Sequence, residues 1–307
     1  MPASARHDNL KLAIGAILFG CLGLSLGDAL IKQSSASFVL WQIFFVRSAI
    51  LLPFLIYIVR LQDCRTPLRP LRLGWTLLRS LVLVSSWIFY FAALPHIGLA
   101  NAAAALYTLP IFIALFAALF LGESIRGRGW LAVVLGFAGT LLILQPEAGD
   151  FEAYALLPIG AAICYAAAMI LTRSHCRGES PTLLSLWLNL AFIAVGALGL
   201  GVLSLWSPAA ETVALNPFLL GPWTPLELEG WRTMAILAAA ILVGSVGAAV
   251  AYQQGPASIV AIFDFSYLPF AILWGHLLFD DLPSPTVAGG MLLIVVAGTL
   301  AVRQRRG

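Results

Sequence analysis

Polar residues along this chain are gathered into short breaks between long apolar stretches, rather than recurring at the three-to-four-residue spacing of a half-buried surface helix. Cutting at those breaks leaves ten candidate spans, near 11–31, 37–59, 73–94, 99–121, 129–145, 154–173, 183–206, 233–252, 257–279 and 285–302. Most come close to the ~20 residues that cross ~30 Å of hydrocarbon. The breaks carry helix-stopping residues: Pro67 and Pro70 among arginines, Gly122-Glu123, Gln145-Pro146, Gly178 to Pro181, the proline-rich stretch 207–231, Gly255-Pro256, and Pro283 with Pro285. Runs such as Asn101 to Leu121 are too long and unbroken for the ~10-residue alternating strands of a membrane barrel. The expected fold class is therefore all-α integral membrane, with ten transmembrane helices.

Composition sharpens this. The 307 residues are 61% hydrophobic and 10% charged, with a mean hydropathy of +0.97; a soluble domain carries about 25% charged residues. A water-soluble globule is excluded. The net charge of +3 is spread through short loops, so no nucleic-acid partner is expected. Cys21 and Cys164 fall in apolar runs and Cys64 and Cys176 in polar loops, without metal-ligand spacing, and read as free thiols. Arg6, His7 and Lys11 precede a first apolar stretch that lacks a clear cleavage site and reads as a retained helix. With the N-terminus inside, 13 of the 17 lysines and arginines fall on the cytoplasmic side, which puts both termini there.

A repeat is visible at one fixed offset of 159 residues. Leu109-Pro110 meets Leu268-Pro269, Ile113 meets Ile272, Leu119-Phe120 meets Leu278-Phe279, and Ala138-Gly139-Thr140-Leu141 meets Ala297-Gly298-Thr299-Leu300. Ten identities in about 40 ungapped positions include a proline and a glycine. Five spans per copy is an odd number, so the two copies run in opposite senses through the membrane, as the inverted repeats of secondary transporters do. The expected units are residues 1–150 and 151–307.

Leu109-Pro110, the Leu121-Gly122-Glu123 helix end and the Gly139-Thr140-Leu141-Leu142 helix end resemble the EamA-like branch of the drug/metabolite transporter superfamily. Within it, Asp28-Ala29-Leu30-Ile31-Lys32, Phe44-Phe45-Val46-Arg47 and Pro146-Glu147-Ala148-Gly149-Asp150-Phe151 look like bacterial S-adenosylmethionine uptake carriers. The second copy departs from the pattern: Asp280-Asp281-Leu282 stands where the Leu-Gly-Glu end belongs. The resemblance implies a secondary carrier of the bacterial inner membrane that moves a small organic substrate, an amino acid, a nucleoside-like metabolite such as S-adenosylmethionine or an amphipathic drug, by alternating access around a midplane pocket, with the lipid bilayer as surroundings, no cofactor, and room for a homodimer.

Ionisable groups inside spans cost about 2.5 to 3.5 kcal/mol on insertion scales and mark functional positions. Arg47 lies ten residues into the second span, near the midplane, and either locks against Asp28 or contacts substrate. Asp28 and Lys32 are four apart, as an intrahelical pair or an outer gate. Arg79 and Asp264 lie at similar depth and could pair as an inner latch, Asp264 doubling as a proton-coupling acid. Trp41, Trp87, Tyr90, Tyr107, Tyr165, Trp187 and Tyr267 are aromatics read as mid-span, available for packing or for stacking on a substrate. Pro110 and Pro269 interrupt related helices, as packing kinks or as places where carbonyls are freed. Gly23 and Gly27 suit close helix contact.

Other classes fare worse. An intramembrane aspartyl protease would need Gly-x-Gly-Asp, but Ser25 takes the first glycine position before Asp28. There is no His-Glu-x-x-His, Gly-x-Ser-x-Gly or Walker A loop. No segment resembles a channel filter, although a channel or receptor remains the alternative to a carrier.

Overall fold

The computed structural model describes residues 9–35, 37–62, 68–93, 105–144, 156–206, 208–279 and 285–304. Cys64, His96, the Pro146 to Phe151 segment and Asp280-Asp281-Leu282 lie outside them. In hydrocarbon every backbone N–H and C=O must be satisfied within the segment, so long apolar runs become helices. Among the described residues the chain is all helical, with α1 (Leu10–Ser34), α2 (Leu40–Gln62), α3 (Leu73–Ala93), α4 (Leu109–Leu121), α5 (Gly127–Leu144), α6 (Leu156–Ser174) and α7 (Pro181–Trp206). Two short helices follow, α8 (Ala210–Leu215) and α9 (Pro217–Leu220), then α10 (Leu228–Gln254), α11 (Ala257–Asp264), α12 (Tyr267–Phe279) and α13 (Pro285–Gln304). Seven segments are long and apolar enough to cross a membrane, one of them running from Ala257 to Leu277 through α11 and α12, and α4, α5 and α13 contribute shorter apolar stretches. The protein is a multi-pass membrane protein.

Local chemistry sets several ends. Asn9 caps α1 by accepting from the Leu12 N–H at 3.1 Å. Gly122, at φ 66°, ends α4 in the left-handed conformation that a Cβ disfavours. The ninth span, read as one helix from the sequence, is two: it breaks at Phe265-Ser266, just before Leu268-Pro269. The described part of the fourth span has a turn at Tyr107-Thr108, just before Leu109-Pro110. Proline lacks an N–H and suits the first turn of a helix, so each proline opens the helix after a break rather than bending one through it.

α1 lies along α10, α2 along α7, α3 along α6 and α5 along α13. α4 packs on α6 and α11, α12 on α1, α3 on α7, and α10 on α2. Small residues permit the closest approaches. A Cβ on Gly23 would sit 2.8 Å from the Ala240 carbonyl of α10, and one on Gly139 2.7 Å from the Gly290 carbonyl of α13. Outward-facing Phe54, Leu119 and Leu205 give the bundle the apolar exterior that lipid requires.

Candidate functional site

Both helix breaks face one cavity of about 50 Å³. Cys21, Leu24 and Asp28 line it from α1, Ser86, Trp87 and Tyr90 from α3, and Tyr165 from α6. Leu106, Tyr107 and Leu109 enter from the first break, Asp264 and Tyr267 from the second. Irregular backbone at membrane depth is tolerated where it lines such a cavity. At roughly 10–15 Å³ per water position the space holds a few waters, against the ~300 Å³ or more of a metabolite pocket, so a larger guest requires the surrounding helices to part.

The two acids are held alike, each by a phenol. The Tyr267 hydroxyl donates to Asp28 Oδ2, and the Tyr252 hydroxyl to Asp264 Oδ2. Cys21 Sγ lies 3.8 Å from both the Oδ1 and the backbone carbonyl of Asp264. Among the described residues, the buried Asp28 Oδ1 has no hydrogen-bond partner. The Tyr107 and Tyr267 rings sit 5.4 Å apart, and Trp87 stacks on Phe91 at 5.7 Å.

Of the aromatics singled out in the sequence, Trp87, Tyr90, Tyr107, Tyr165 and Tyr267 share this cavity. Trp41 and Trp187 do not line it. Trp41 is the second residue of α2 rather than mid-span, and its indole N–H donates to the Leu219 carbonyl at 2.9 Å. The Trp187 indole donates to the Leu68 carbonyl at 2.9 Å. Trp41 pins the short helix α9 and Trp187 the loop before α3, because an indole N–H taken out of water needs an acceptor and carbonyls in a loop or in the last turn of a helix lack a helical partner.

Arg47 also stands outside the lining. It is 2% exposed, with its guanidinium 5.1 Å from the Phe44 ring and 4.6 Å from the Phe192 ring. The expected lock with Asp28 is not made: Asp28 takes the Tyr267 hydroxyl and Arg47 Nε has no hydrogen-bond partner. The two charges stay within electrostatic reach. The pairing of Arg79 with Asp264 is likewise absent. Arg79 Nε donates to Thr172 Oγ1 at 2.7 Å and its Nη1 lies 3.4 Å from the Leu184 carbonyl. The reason is topological: α3 packs on α6 and α7, whereas α11 packs on α1 and α4. The Lys32 side chain lies outside the described residues; Asp28 itself turns toward α12.

A second cluster was visible in the sequence only as a helix-end motif. The Glu123 carboxylate accepts from the N–H groups of Ala257 and Ser258, each at 3.0 Å, and from the Ser258 hydroxyl at 2.6 Å. Arg173 Nε of α6 lies 3.3 Å from Glu123 Oε1. A carboxylate on the first N–H groups of α11 meets the positive end of the helix dipole. One side chain therefore ties the α4–α5 turn to the start of α11 and the end of α6. At the other end of the bundle Gln42 exchanges hydrogen bonds with Thr224, and the Phe218 ring of α9 packs on Phe91 at 5.6 Å. Tyr252, Cys21 and Glu123 are the residues that reasoning from sequence missed as parts of a site. The signal for Tyr252 was a phenol at the end of an apolar span, twelve positions before an aspartate.

Apolar helices that break where they line a cavity holding two aspartates suit a membrane transporter. Residues 11–145 match the EamA-like transporter family. It is 28% identical over 303 residues to the pseudopaline exporter CntI of Pseudomonas aeruginosa, covering 98% of this chain and 99% of that one. It is 27% identical over 297 residues to a riboflavin transporter of Vibrio cholerae, covering 96% and 93%. An S-adenosylmethionine uptake transporter of Rickettsia bellii is 24% identical over 307 residues, with 95% and 94% covered. A protein of known crystal structure shares the fold at a TM-score of 0.74 and 19% identity, with 95% of this chain and 98% of that one covered. The relatives are named as transporters, and the chain is a small-metabolite transporter rather than an enzyme.

Proposed function

We propose that this protein is a secondary carrier of the bacterial inner membrane that moves a small organic metabolite by alternating access around the cavity at the two helix breaks. The observation that carries the reading is the convergence of both breaks, two aspartates and five aromatic side chains on one cavity. The frame is ten spans in two inverted five-helix units, 1–150 and 151–307, with both termini cytoplasmic. The helix pairing supports it, because shifting each span by five exchanges the α1–α10 contact with α6–α3, α1–α12 with α6–α4, and α3–α7 with α10–α2. The α2–α7, α5–α13 and α4–α11 contacts map onto themselves. Such a frame lets two related halves rock about a fixed central site.

In this orientation the Glu123 cluster closes the cytoplasmic end and must release for inward opening. Cargo of the size carried by the relatives, an amino-acid-like, nucleoside-like or flavin-like metabolite, enters once the helices part. Asp28 and Asp264 are the candidate binding and coupling groups. Arg47 and Arg79 support the helices that carry the site.

The test is uptake and counterflow in proteoliposomes against a panel of such metabolites. Saturable exchange of at least one compound, lost when the two ends are crosslinked across Glu123 and Ser258 by paired cysteines, is expected. Non-saturable flux that persists in the crosslinked protein would mean a channel.

A further inference from the structure

The charges around the cavity are one-sided. Among the described residues, the side chains lining the space that can hold a formal charge at neutral pH, Asp28 and Asp264, are both acids, with no lysine, arginine or histidine beside them. Arg47, which acts electrostatically on Asp28, is not part of the lining and packs against Phe44 and Phe192. Asp264 has its Oδ2 satisfied by Tyr252 and its Oδ1 near the Cys21 thiol. Among the described residues Asp28 has the Tyr267 phenol on Oδ2 and no hydrogen-bond partner on its buried Oδ1. A buried carboxylate oxygen without a donor is costly, and a guest that supplies a positive centre removes that cost.

The walls are suited to the same guest. Trp87 and the tyrosines present ring systems around the acids, and an aromatic face attracts a cation through its quadrupole. α11 also ends at Asp264, so the negative end of its dipole meets the cavity while Glu123 caps its positive end. An anion would instead meet two carboxylates, and of the phenols lining the space Tyr267 already donates to one of them. A neutral guest could at most donate a hydrogen bond to Asp28 Oδ1 and would leave the carboxylate charge uncompensated.

Building on the carrier reading above, we infer that this cavity selects an organic cation bearing a flat or aromatic group, with its positive centre against Asp28 Oδ1 and its flat face among Trp87, Tyr90 and Tyr107. Asp28 is the anchor and Asp264 the more heavily committed second acid. Because the closed cavity is about 50 Å³, the cation is admitted by an open state and enclosed as the helices close.

The test uses the full chain in lipid nanodiscs and four probes of similar size: benzyltrimethylammonium, benzyl alcohol, 3-phenylpropionate and phenylalanine. Calorimetry should give saturable binding of benzyltrimethylammonium at least about tenfold tighter than the other three. Asp28→Asn should lose about tenfold or more of that affinity, while Asp28→Glu keeps part of it. Tighter binding of 3-phenylpropionate or phenylalanine, no saturable binding of the cation, or an unaltered affinity in Asp28→Asn would overturn the inference. If Asp28→Asn fails to fold, the wild-type probe series decides alone. Counterflow separates the two levels of argument. Cation binding without translocation removes the carrier reading and leaves the site, whereas exchange of only neutral or anionic compounds removes this site and leaves the carrier.

Discussion

Replacing Glu123 with alanine should unlatch the end of the bundle assigned to the cytoplasm. The carboxylate accepts three hydrogen bonds, from Ala257 N, Ser258 N and Ser258 Oγ, and its Oε1 lies 3.3 Å from Arg173 Nε. Hydrogen bonds to a charged group contribute roughly 1.5–3 kcal/mol each. Water satisfies the same groups once the end opens, so the difference between the closed and open states is smaller than the sum, about 3 kcal/mol. That corresponds to roughly a 150-fold rise in the open population. Cys21 is a native reporter, since it lines the cavity and is 2% exposed. In a protein whose other cysteines are replaced, a membrane-impermeant thiol reagent applied to inside-out vesicles should modify Cys21 up to about 150-fold faster in Glu123→Ala. From the outer face the rate should not rise. An unchanged rate, or an equal increase from both faces, would refute the assignment of Glu123 as the inner latch.

Arg47→Lys keeps the charge but loses the planar group held between Phe44 and Phe192, so thermal unfolding in detergent should show a loss of about 1–2 kcal/mol; an unchanged melting temperature would make the stacking irrelevant. Gly23→Ala places a methyl 2.8 Å from the Ala240 carbonyl and should destabilise by about 1–3 kcal/mol, whereas Gly15→Ala, with nothing within 4 Å, should be silent in the same melt. For topology, a single cysteine at the exposed Gly178 position should react with impermeant reagent only from the cytoplasm, and one at Glu211 only from outside; the reverse pattern overturns the orientation. Native Cys176, two residues from Gly178, is fully buried, and burial pushes its thiol above the ordinary range. The thiolate is the reactive form, so Cys176 should label more slowly than the cysteine at 178 at pH 8 and catch up only as pH rises; equal rates at pH 8 would contradict its burial.

Whether a segment belongs in hydrocarbon is a property of its own residues, because an apolar run of sufficient length must close its hydrogen bonds as a helix wherever it sits. Helix positions, the prolines at the two breaks and the repeat in the last spans of each half were therefore legible before any coordinates. So was the inventory of deep aromatics and acids, including five aromatics that line the cavity. The helix partners were not legible. Lipid is as apolar as the bundle interior, so a span such as α1 does not reveal by hydropathy which face meets protein and which meets lipid. Tertiary packing decided that Asp28 meets Tyr267, 239 residues away, instead of an arginine one helix on. It set Arg47 and Arg79 behind the cavity wall among rings, hydroxyls and carbonyls. It also brought Glu123 to the start of α11, 134 residues along the chain. Each of these contacts depends on how the helices are rotated and paired, and small residues such as Gly23 and Gly139 set that pairing by letting two backbones touch.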